Sequence, residues 1–87
     1  MKMVILIMRD NDADEVTQTL TTEKFRVTRI ASTGGFLRSG IVTLLLGVLD
    51  ERLESALELI RSKLTPLPSG ERRATIFVVP VERFEQV

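Results

Sequence analysis

An α+β domain in the order strand, helix, strand, strand, helix, strand is what the sequence predicts, from three features of its patterning. Residues 3–8 and 41–48 are apolar at almost every position, as strands buried on both faces are. Two other segments carry apolar residues at helical spacing. Residues 25–33 and 74–79 are β-branched or alternating runs that end at glycine or proline. Two β-α-β passes in one short chain give a ferredoxin-like βαββαβ sandwich, a single domain over residues 1–87. Its four-stranded antiparallel sheet would carry both helices on one face, with strands one and three in the middle.

The opening run MKMVILIM stops at Arg9 and Asp10, too short to cross a membrane and without the small-residue cleavage pattern of a signal peptide. Asp10, Asn11 and Asp12 offer oxygens to the free N–H groups at a helix start, and their charge suits its positive end. Ala13, Val16 and Leu20 then mark one helix face through Thr22. The same acidic cluster lacks the central glycine and closing glutamate of a calcium loop, so capping rather than metal binding is expected.

In strand two, alternation puts Phe25, Val27, Arg29 and Ala31 on one face and Arg26, Thr28, Ile30 and Ser32 on the other. Charges on both faces suit a sheet edge. Gly34 and Gly35 stop the strand and let backbone approach a ligand, so that Phe36, Leu37 and Arg38 can form a lipped pocket closed by Gly40. Residues 41–48 are the third strand, and Asp50 is the expected N-cap of helix two. Leu53, Ala56, Leu57, Ile60 and Leu64 form that helix's apolar stripe, with Glu51, Glu54 and Glu58 on its polar side and Arg61 and Lys63 near its end. Pro66, Pro68, Ser69 and Gly70 make residues 65–73 a loop, and Pro80 ends strand four by lacking a ladder donor. The remaining tail is expected to pack Phe84 down.

Twelve Lys and Arg balance twelve Asp and Glu, so no global field draws the protein to nucleic acid or an anionic membrane. The absence of His and Cys removes imidazole-dependent catalysis, thiol chemistry and the usual zinc ligands. A cytoplasmic protein that is not an enzyme, with no metal and no cofactor, is expected. A domain of this size buries only roughly 60–65% of its unfolded surface. Val4, Leu6 and Met8 point to one side of strand one and Met3, Ile5 and Ile7 to the other, yet the helices cover only one sheet face. Association of subunits resolves the conflict.

The string FRVTRIASTGGFLRSG at residues 25–40, with KMVILIMRDND near the start and ATIFVVPVERFEQV at the end, resembles the cyclic-di-AMP receptor family of PII-like signal transduction proteins. Those three blocks cover 41 of the 87 residues. The resemblance implies a homotrimer with ligand clefts between neighbouring subunits, a cyclic dinucleotide ligand (cyclic di-AMP) and a protein target to which occupancy is relayed. It further implies that Arg26 and Thr28 meet phosphate, ribose or base edges. Gly35, Phe36 and Leu37 would line an adenine pocket, and Gly47, Phe77 and Gln86 would lie around the nucleotide. Two phosphates and two purines need cations or N–H donors beside apolar surface, and the residues around the glycine loop supply both. Each position also has an ordinary reading: Phe77 as a core aromatic, Gly47 as a bulge, Gln86 as a tail residue.

The chain departs from the family pattern in four places. Lys24 and Ile41 stand where Asn is usual, residues 65–73 are much shorter than the family's loop, and Arg72 and Arg73 replace Gly-Gly. The two arginines either supply phosphate contacts or solvate the shortened loop. A PII-like protein binding ATP or ADP, and a nucleotide-free protein-interaction module, remain the alternatives.

Overall fold

The computed structural model describes residues 1–31 and 40–87. In chain order they form β1 (Lys2–Arg9), α1 (Asp10–Thr22), β2 (Val27–Ala31), β3 (Ile41–Val48), α2 (Leu53–Lys63) and β4 (Ala74–Pro80), with a 3-10 turn (Asp50–Arg52) leading into α2. The strands make one sheet in the order β2-β3-β1-β4, every neighbour antiparallel. This is the expected ferredoxin-like, PII-like sandwich, with two long, largely apolar strands central.

The register explains the core. Val4 lies opposite Leu46 and Val78, Leu6 opposite Leu44 and Ile76, and Met8 opposite Val42 and Ala74. These rows face Ala13, Val16 and Leu20 of α1 and Ala56, Leu57 and Ile60 of α2, which bury their β1 and β3 members, while Val78 on the edge strand stays 40% exposed. The other face repeats the pattern without a cover. There Thr28, Leu45, Ile5 and Phe77 form one row across all four strands, and Ile30, Thr43, Ile7 and Thr75 form the next. Ile30 is 45% exposed, Phe77 51% and Val79 38%, because no helix among the described residues lies over them.

Element boundaries differ from expectation at three junctions, each for a local reason. α1 starts directly from β1, with Arg9 at the cap position and no side-chain cap bond. The Asp10 N–H is taken by the Gly40 carbonyl at 2.8 Å, and the Asp10 and Asn11 side chains instead accept from the next N–H in line, at 2.8 and 3.0 Å. Asp50 opens the 3-10 turn rather than capping α2, and its carboxylate lies 3.1 Å from the Met1 amino group.

Phe25 belongs to the end of α1 rather than to β2. Lys24 N–H donates to the Thr21 carbonyl at 2.9 Å and Phe25 N–H to the Leu20 carbonyl at 3.0 Å, the paired bonds of a Schellman motif. Lys24 accordingly takes φ +67°. Phe25 is buried beside Leu20, and the Arg52 guanidinium sits 4.0 Å from its ring centre while donating to the Glu23 carbonyl at 3.1 Å. The predicted continuation of strand two through Ser32 and Thr33 lies outside the described residues.

Candidate functional site

Alternation along β2 sends Arg29 to the helix side and Arg26 and Thr28 to the open side. Arg29 is engaged there by the Asp14 carboxylate and the Asp10 carbonyl. Arg26 has no ion pair or hydrogen bond among the described residues, whereas Arg29, Arg52, Arg73 and Arg83 all have partners. It lies at a hollow of about 360 Å³ whose walls are mainly apolar: Met1, Met3, Leu45, Val81 and Phe84. Thr28 and Gln86 add polar groups, and Gly47 forms part of the floor.

Each part of that hollow follows from the local fold. Gly47 pairs with Met3 in an unbroken register, which excludes the bulge reading. A side chain added there would meet only Met1 Cε, at 3.9 Å, so the protein's own packing does not demand glycine. The tail is brought across by Val81 N–H donating to the Met1 carbonyl at 3.1 Å. That contact carries Phe84 and Gln86 to the hollow, although Phe84 stays 60% exposed instead of packing down fully.

The other candidates separate. Phe77 shares the open face and the row of Thr28, but it sits on β4 at the opposite edge of the sheet. Three strand spacings of about 4.8 Å put it about 14 Å away. Gly35, Phe36 and Leu37 lie outside the described residues. Met1, Met3, Leu45 and Val81 were not among the sequence-derived candidates. The period-two alternation of β1 and β3 was the signal for Met3 and Leu45, since it places both on the uncovered face.

Arg73, by contrast, makes a structural contact. Arg73 donates to Asp12 at 2.6 Å and to the Thr65 carbonyl at 3.2 Å, pinning the loop before β4 to the first turn of α1. The Asp12 carboxylate, through that hydrogen bond, raises the Arg73 pKa above the usual arginine value, so the pair is permanently charged on its basic side. A wider depression of about 770 Å³ between the end of α1 and α2 sets Glu23 and Glu58 against Arg52 and Arg61, and its charge balance does not favour an anionic ligand. Among the described residues no cluster of three potential metal ligands occurs, and no helix is long and apolar enough to cross a membrane.

Comparison with known proteins supplies the relationship. A solved structure of a functionally unknown protein from Pediococcus pentosaceus is similar, with 33% sequence identity, a TM-score of 0.78, and coverage of 99% of this chain and 96% of that one. The profile of a family described as cyclic-di-AMP receptor matches residues 1–67, a span that holds Arg26, Thr28 and Gly47 and stops within the loop before β4. With most of its length matched, from β1 through α2, the chain belongs to the cyclic-di-AMP receptor family.

Proposed function

We propose that this chain is a non-enzymatic, cytoplasmic PII-like signalling protein that binds cyclic di-AMP in clefts between the subunits of a homotrimer and relays occupancy to a protein target. The observation that carries the reading is Arg26, a guanidinium with no partner among the described residues, beside an apolar hollow. A phosphate satisfies the cation, and a purine fills the hollow better than water does. Arg26 takes a phosphate, Thr28 and Gln86 take ribose or base edges, and Gly47 lets a ring approach the strand. Gly35, Phe36 and Leu37 complete an adenine pocket.

Two features support a site shared between copies. A hollow of about 360 Å³ lies near the lower limit for small-ligand sites of roughly 300–1,000 Å³, which suits part of a cyclic dinucleotide better than the whole. Phe77, on the far edge of the same face, reaches such a ligand only from a neighbouring subunit. Isothermal titration with cyclic di-AMP, cyclic di-GMP, ATP and ADP tests the proposal. Saturable binding of cyclic di-AMP above the others is expected. Preference for ATP or ADP would support the mononucleotide alternative, and no binding by any of the four would leave a nucleotide-free interaction module.

A further inference from the structure

The end of the sheet opposite the Arg26 hollow gathers positive charge that nothing in the nucleotide reading uses. The β1–β4 ladder ends with Met8 opposite Ala74, and beyond that pair Arg9 and Arg73 line the same hollow. With Arg72 they border a hollow of about 210 Å³, closed by Asn11, Asp12 and Leu67. Three guanidinium groups therefore meet one carboxylate, in a chain whose total charge is zero. The carboxylate is already committed to Arg73. Arg9 and Arg72 have no ion pair or hydrogen bond among the described residues.

We propose that this hollow binds a small oxyanion of the phosphate class. Like charges brought together in a cleft repel, and an anion between them turns that repulsion into attraction. Arginine forks match tetrahedral oxyanions with two parallel hydrogen bonds each. Arg73 is a fixed wall, held by Asp12 and Thr65, while Arg9 and Arg72 supply the free donors. Asn11 adds a third, because its Oδ1 accepts from the Asp12 N–H and leaves the amide nitrogen to donate. The helix start contributes nothing directly: the N–H groups of Asp10, Asn11 and Asp12 are bonded to Gly40, Asp10 and Asn11. The volume lies below the range of nucleotide sites, which restricts the occupant to a small anion.

Thermal unfolding in sodium phosphate, matched in ionic strength by sodium chloride, tests the site without reference to nucleotide. Phosphate should raise the midpoint beyond the chloride control, rising with concentration by mass action. Arg9→Ser and Arg72→Ser remove exposed side chains and should each weaken the apparent phosphate affinity about tenfold or more. Arg83→Ser, at a surface arginine paired with Glu85 and outside the hollow's lining, should leave the response unchanged. No difference from chloride, a response undiminished in the Arg9→Ser/Arg72→Ser double variant, or one that disappears in Arg83→Ser would each overturn the assignment.

Discussion

Arg26 and Arg29 stand three positions apart on the same segment and have opposite tasks, because a strand turns successive side chains to opposite faces. Arg26→Ala should lower cyclic di-AMP affinity by a factor equivalent to about 1.5–3 kcal/mol, the range for a lost charged hydrogen bond, without moving the unfolding midpoint. Arg29→Ala should keep affinity and cost about 0.5–1 kcal/mol of stability, since its bridge to Asp14 is well exposed to solvent. Titration calorimetry and urea unfolding on both variants check the pair, and equal affinity losses would contradict the assigned faces. Lys24 is a residue of another kind: it occupies a left-handed position that a side chain disfavours, at the end of a helix whose closing bonds require it. Lys24→Gly should therefore stabilise the protein by about 1 kcal/mol in the same urea assay.

Helices, strands and their order were legible because their apolar periods are long and unambiguous, as in Leu53, Ala56, Leu57 and Ile60 on α2. Junctions were less so. Asp50 has the chemistry of a cap, but a side chain takes that role only when no other partner lies nearer, and the Met1 amino group does. Phe25 reads as the first strand residue on propensity, while the Schellman bonds claim it for the helix. For the candidate site, alternation was enough to put Arg26 and Thr28 on one face; Gly47 and the long-range arrival of Gln86 through the tail came from the family resemblance, since no local pattern encodes them. Arg73 was one of two loop cations in sequence and became a tether once α1 and β4 were adjacent. Hydrogen exchange should consequently show residues 65–73 little changed by cyclic di-AMP, and faster in Arg73→Ala than in the parent. Ligand-induced protection spreading through that loop would contradict its role as a fixed wall.

At the scale of the molecule the governing fact is a sheet with one face packed under both helices and the other without a helix over it among the described residues. Light scattering at micromolar concentration should give the mass of a homotrimer, and Ile7→Lys, which puts a charge on the face without helices, should shift it toward monomer. A monodisperse monomer of the parent chain would contradict the proposed clefts. The face without helices ends at β4, whose run ATIFVVP carries no charge and whose outer edge has no strand beside it among the described residues. Phe77, Val78 and Val79 are all exposed along it. Uncharged edge strands of this composition template one another, and Pro80 is the single residue in the run that cannot extend such a ladder. If the proposed homotrimer covers this edge, assembly would protect it from such stacking, and the protein's solubility should then depend on how quickly each chain finds its own copies.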